Sequence, residues 1–210
     1  TLAGSRVEVE TVSGIWRHAG RPASLLTAAE ASQERVESAL RGGYSVLHFA
    51  THIVPAPLNS TSFLIRQKPD QLSRNRAVSV LTPGDPFLTL SINRKGYREG
   101  LNARILSAHD VPGALVVLNG CNSGLGTAQA GAGLSGFTSA WLAAGARSII
   151  ASLWPIEDDQ GEIFVSFYRN LLSRHPPSEA LRMSQLEMIR SASALSQPRR
   201  WAAYFSVGKE

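Results

Sequence analysis

His52, Cys121 and the acidic stretch Glu157-Asp158-Asp159 are the residues whose types and surroundings can do chemistry. Cys121 is the sole cysteine and lies in Asn119-Gly120-Cys121-Asn122-Ser123-Gly124. A thiol near neutral pH is already a few per cent thiolate, so it attacks a carbonyl carbon with little help. It needs a proton donor for the leaving group and N–H donors for the developing oxyanion. His52 can be the first, and the backbone N–H groups of Ile53 and Cys121 can supply the second. Glycines around the thiol let backbone and substrate come close. A lone cysteine can also be nothing more than a small buried residue in a tight turn. Its place among glycines, opposite a histidine that ends a strand, favours the nucleophile.

The elements that would hold these groups are read from apolar periodicity. Val46–Ala50, Ala114–Leu118 and Ser148–Leu153 are short apolar runs of the kind buried in a parallel sheet. Each is followed by one of the chemical groups: Thr51-His52, Gly120-Cys121, and Trp154 to Asp159. Strands lie about 4.8 Å apart, so side chains from neighbouring strand ends can converge on one substrate. Helices are expected from a capping box at Thr27–Glu30 to Arg41, over 103–108, around Leu134–Ala144 with Gly145 as the stop, over 159–173, and over 177–190. Weaker strands are expected near 62–65 and 87–91, and a strand or packed tail over 201–207. The polar stretch Gln67–Arg76 reads as a mobile surface loop. Strands alternating with helices make an α/β fold, a mostly parallel central sheet flanked by helices. His48 lies inside its strand and reads as a hydrogen-bonded core residue, while His18, His109 and His175 stand in polar or turn contexts.

Composition narrows the classes. The 210 residues are enough for one domain with its own core, and 43% of them are apolar against 18% charged. No apolar run approaches the ~20 residues of a membrane span, and nothing at the start reads as a secretion signal. One cysteine makes no internal disulfide, so a reducing, cytoplasmic setting is the natural expectation. The net charge of +5 comes mostly from arginines scattered along the chain. Without a basic helix or nucleic-acid motif, they read as a solvated surface, not a nucleic-acid footprint. No metal-ligand spacing is present.

Together the segments Leu47-His-Phe-Ala-Thr-His52, Leu115-Val-Val-Leu-Asn-Gly-Cys121-Asn-Ser-Gly124, Gly131-Ala-Gly133 with Ala143-Ala-Gly-Ala146, Ala151-Ser-Leu-Trp154 with Asp158, Phe167-Tyr168, and Trp201-Ala-Ala-Tyr-Phe205 resemble the CHAT family. These are caspase-like peptidase domains, related to separase, that are usually fused to tetratricopeptide repeats. The likeness runs from about Glu8 to Gly208, and the order of the pieces is what makes it specific. It implies a caspase-like three-layer sandwich over 1–210 as a single domain, part of a larger repeat-containing protein. It further implies a His52–Cys121 dyad, no cofactor, and cleavage of a protein or peptide substrate under an attached sensor module. Two positions depart from the family pattern: Ile53 stands where a glycine usually follows the histidine, and Ala132 where a glutamate is usual. The related separase segment places an acidic residue against a basic P1 side chain. Asp158 corresponds to it, with Trp154 as an apolar wall; the competing role for Asp158 is to cap the helix starting near Asp159.

Two other classes fit parts of the chain. A silent member of the same family would keep the fold as a docking or scaffold module, and Ile53 is the residue that favours it. Gly120-Cys-Asn-Ser-Gly124-Leu-Gly126 also fits the glycine turn of short-chain dehydrogenases, which seats a dinucleotide pyrophosphate. That reading lacks a Tyr-x-x-x-Lys pair, since Tyr204 and Lys209 are five apart.

Overall fold

In the computed structural model, residues 3–55, 86–94, 96, 98–120, 137–154, 156, 158 and 161–209 are described. The expected strand near 62–65, the loop Gln67–Arg76 and Cys121 itself lie outside them.

The apolar runs become a four-stranded sheet. Strand β1 (Val46–Ala50) is at one edge, followed in space by β5 (Leu115–Asn119), β6 (Ser148–Ser152) and β7 (Tyr204–Gly208). The first three run parallel and β7 runs antiparallel to β6. Every residue of β5 and β6 is buried, as continuous apolar strands covered on both faces require. A second, antiparallel sheet is made by β2 (Ile53–Pro55), β3 (Pro86–Ile92) and β4 (Arg98–Asn102). β3 was legible; β2 and β4 were not, because three residues at Pro55 and the polar start Arg98-Glu99-Gly100 carry no alternation.

Alternation along the main strands sorts the helices into two layers. Leu47, Val116, Leu118 and Ile149 pack with α2 (Gln33–Leu40), α3 (Ala103–Leu106) and α4 (Phe137–Ala143) on one face. Leu115, Val117 and Ile150 pack with α1 (Ala3–His18), α5 (Glu162–Leu172) and α6 (Pro177–Arg190) on the other. This is the three-layer α/β arrangement with a mostly parallel central sheet. α5 shows the physics most plainly: Ile163, Phe164, Phe167 and Tyr168 are all buried on one stripe. Gly145 ends the α4 segment with φ +95°, a conformation that glycine adopts freely.

Two expectations are corrected, and one helix was missed. The box at Thr27 makes no side-chain cap; a 3-10 turn spans Ala28–Glu30, and the helix starts later with Ser32, whose hydroxyl accepts from Arg35 N. Helix α5 begins at Glu162, not at Asp159, and its N-cap Gly161 has no side chain to cap with. Helix α1 was not expected at all. Its inward face carries Glu8 four residues before Val12, so a buried carboxylate interrupts the apolar stripe that would have revealed it.

Glu8 is 5% exposed and anchors α1 to the sheet. Its Oε1 is 2.7 Å from His48 Nε2, and its Oε2 accepts from Asn119 Nδ2 at 2.5 Å. His48 Nδ1 lies 2.9 Å from the Tyr168 hydroxyl, and Tyr204 O–H donates to Asn119 Oδ1 at 2.8 Å. The chain Tyr168–His48–Glu8–Asn119–Tyr204 therefore joins α5, β1, α1, β5 and β7. Burial, then the nearby Glu8 charge, pushes the Tyr168 phenol far up, so it stays protonated. The expectation for His48 as a satisfied core residue matches this geometry. His48→Ala removes the partner of two buried polar groups and should cost about 3 kcal/mol of stability, read as a lowered urea midpoint. An unchanged midpoint would mean the network contributes nothing to folding.

Candidate functional site

β1 stops at Ala50 because Thr51 and His52 form the turn into β2. Thr89 holds that turn from β3: its N–H and its hydroxyl both donate to the His52 carbonyl, at 2.9 and 3.1 Å. Thr51 returns the contact by donating its hydroxyl to the Thr89 carbonyl at 2.9 Å. The backbone of His52 is thus fixed, while the residue itself is exposed. In the β2–β3 pairing Ile53 stands opposite Leu88, and the Thr89 N–H bonds to His52 O. That pattern makes Ile53–Leu88 a non-hydrogen-bonded pair, so the Ile53 N–H faces away from β3. Its side chain is 7% exposed and its backbone is extended, which suits a β-branched residue.

β1 and β5 run in register, Ala50 beside Asn119, and Thr51 N–H donates to the Asn119 carbonyl at 3.1 Å. Gly120 continues from there into the His52 turn. A Cβ on it would collide with the Thr51 carbonyl oxygen and lie 3.1 Å from Ile53 Cγ1, so only glycine fits. Ser152, fully buried at the end of β6, donates to the Gly120 carbonyl at 2.6 Å. Gly120, the residue before Cys121, therefore touches the residues on both sides of His52.

From the third strand end, Leu153 and Trp154 are 41% and 39% exposed, leaving the indole available at the surface. The Asp158 carboxylate is turned to the N-terminus of α1. Oδ1 accepts from Ser5 N at 2.8 Å and from Ser5 Oγ at 2.6 Å, and Oδ2 accepts from Gly4 N at 2.9 Å. A cap was among the expected roles; the helix it caps is α1 and not α5. Gly4 is required there, since a Cβ would strike the Asp158 carbonyl. A groove of about 770 Å³ runs between α1 and β1, from Trp16 and Leu26 past Val46 to Ser5 and His52. Among the described residues, no three His, Cys, Asp or Glu side chains could together hold a metal ion. None of the described helices is long and apolar enough to cross a membrane.

Ser5, Thr89, Glu8 and Ser152 support this site and were missed in the sequence. Each acts through a contact distant in the chain, and a single serine, threonine or glutamate carries no local sign of it. Asp158 offers a direct check. Burial acts to raise its pKa, but the Ser5 hydroxyl, the Gly4 and Ser5 N–H groups and the His52 charge outweigh it and hold the carboxyl below its ordinary 3.8. A depressed value stabilises the fold above the unfolded pKa and loses that contribution as pH falls through the folded one. Asp158→Asn should therefore lower Tm at pH 7, and the gap to wild type should close below about pH 4. A gap that stays constant with pH would mean the carboxylate charge is not what holds α1.

The sequence profile of the CHAT domain matches residues 1–209. Tetratricopeptide repeat protein 28 of Homo sapiens is 30% identical over 201 residues, covering 88% of this chain and 8% of that protein. Its Mus musculus counterpart is 34% identical over 97 residues, covering 46% of this chain and 4% of its own length. The chain thus spans less than a tenth of the relatives it matches. A match over nearly the whole length, on a fold that sets His52 beside the end of β5, makes this chain a member of the CHAT domain family.

Proposed function

We propose that this chain is the peptidase unit of a larger, cytoplasmic protein, cutting a protein or peptide substrate with Cys121 and His52 and without a cofactor. The contact of Gly120 with Thr51 and Ile53 carries this reading, because it brings the residue before Cys121 against the turn that bears His52. His52 takes the thiol proton, the Cys121 sulfur bonds to the scissile carbonyl carbon, and the oxyanion is held by the N–H groups of Ile53 and Cys121. The C–N bond then breaks as His52 gives the proton to the leaving amine. Water, deprotonated by His52, frees the acid and restores the thiol. The Ile53 N–H turned away from β3 supports its oxyanion role. Extended backbone at Ile53 accommodates the departure from glycine. The tetratricopeptide repeats in the relatives' name support control by an attached repeat module.

Asp158 and Trp154 form the P1 subsite in this reading. A carboxylate has about four lone-pair sites. Three are occupied by Gly4 and Ser5, two of them on Oδ1, so among the described residues one remains open on Oδ2. A P1 guanidinium then gains one charge-assisted bond instead of the fork-on-fork pair, and Arg loses most of its advantage over Lys. Fluorogenic peptides with Arg, Lys, Leu or Met at P1 test both assignments in the intact protein. Cys121→Ala and His52→Ala should each abolish cleavage with the fold intact. Basic P1 residues should exceed apolar ones by roughly tenfold in kcat/KM, a preference that Asp158→Asn should erase. Near wild-type turnover by His52→Ala would defeat the dyad; an unchanged P1 profile in Asp158→Asn would leave that residue as a helix cap.

A further inference from the structure

Glu8 lies on a helix that supplies no reacting group to the chemistry proposed above, yet it bridges the two strands that do. One carboxylate oxygen reaches His48 on β1, four residues before His52; the other takes the Asn119 amide on β5, two residues before Cys121. Both partners are held from behind, His48 by the Tyr168 hydroxyl and Asn119 by the Tyr204 hydroxyl. The carboxylate is bonded directly to both strands and ties β1 to β5 beside their ends, while the tyrosines only complete the hydrogen bonding of its two partners. The β1–β5 pairing runs past this bridge to Ala50 and Asn119, and the Thr51–Asn119 backbone bond closes it at the strand ends. We propose that Glu8 is a positioning residue for the His52–Cys121 dyad, setting the relative placement of the two strand ends through His48 and Asn119. This rests on the peptidase reading of the site.

Donor and acceptor accounting explains why a carboxylate is needed. Tyr204 O–H donates to Asn119 Oδ1, so the Asn119 amide nitrogen must point at Glu8 as a donor. A carboxylate only accepts, so His48 Nε2 carries a proton toward Glu8, and in the neutral ring Nδ1 then accepts from the Tyr168 hydroxyl. Glu8 therefore meets donors on both sides, and only a group with two acceptor oxygens satisfies them. A glutamine has the same shape but one acceptor, so one end becomes donor against donor. Relief requires the His48 proton to move to Nδ1 or the Asn119 amide to flip, and either breaks a buried tyrosine hydrogen bond that the wild type makes. A shift of the order of an ångström at a strand end is enough to cost about a hundredfold in rate.

The test compares wild type, Glu8→Gln and Tyr168→Phe in the full-length protein, on one fluorogenic peptide, well below the Tm of each. Tyr168→Phe removes a hydroxyl from the outer end of the same network without touching the Asn119 arm. Glu8→Gln is expected to lower kcat at least tenfold with KM within about twofold, the signature of a misplaced catalytic group. Tyr168→Phe should lower Tm and leave kcat within about twofold. If the two variants lose kcat in proportion to their loss of Tm, or Glu8→Gln keeps wild-type kcat, Glu8 is a structural anchor only and the proposal fails while the peptidase reading stands. If wild type shows no Cys121-dependent cleavage, both fall. Should Glu8→Gln fail to fold, Asn119→Leu serves as the second variant. It removes the same arm from the β5 side, and normal kcat in that variant overturns the proposal.

Discussion

Strand β5 ends in contact with the turn that carries His52, and that contact exists because residue 120 has no side chain. The approach of Gly120 to the Thr51 carbonyl leaves no room for even a methyl group. Much of the surrounding architecture can be understood as holding this contact. The parallel register of β1 and β5 delivers it, the Ser152 hydroxyl fixes the Gly120 carbonyl from β6, and Thr89 fixes the His52 carbonyl from β3. Backbone groups are thus fixed on both sides, while His52 remains exposed. This is the division expected of a site whose precision comes from rigid elements and whose chemistry comes from accessible groups.

Helix α1 is fastened to this region twice. Asp158, from the segment after β6, takes its first N–H groups, where a carboxylate both satisfies orphan donors and meets the positive end of the helix dipole. About one turn on, Glu8 enters the core and bridges β1 to β5. The two attachments differ in kind. The first is a surface cap open to water and sensitive to pH; the second is a buried polar network that costs desolvation and is retained for geometry. A helix that packs by an apolar stripe alone could slide; one held through Glu8 has a defined axial position.

The central sheet was legible because β1, β5 and β6 are continuous apolar runs, the pattern of a strand covered on both faces. The same reading found α6 to the residue and β7 within a few. It failed where tertiary contacts overrode local signals. The second sheet draws on strands too short or too polar to alternate, and α1 hides behind an inward glutamate. The capping box at Thr27 was a motif without its structure, since the chain turns once as a 3-10 segment before Ser32 starts the helix. Of the candidate site, the placement of His52 at a strand end beside the β5 terminus was readable from the order of segments. The second duty of Asp158 was not, because nothing local ties Gly4 and Ser5 to a residue more than 150 positions away.

The central claim is that the two strand ends act together, so that the thiol of Cys121 is made reactive beside His52. Covalent labelling by a peptidyl acyloxymethyl ketone with a basic P1 residue measures this most directly, because the reagent captures a thiolate only where a protease site seats its peptide. Mass spectrometry of the intact protein should find one label, on Cys121, formed at a rate that falls by at least about tenfold in His52→Ala. No label on a folded wild-type protein, or a rate indifferent to His52, would contradict the account.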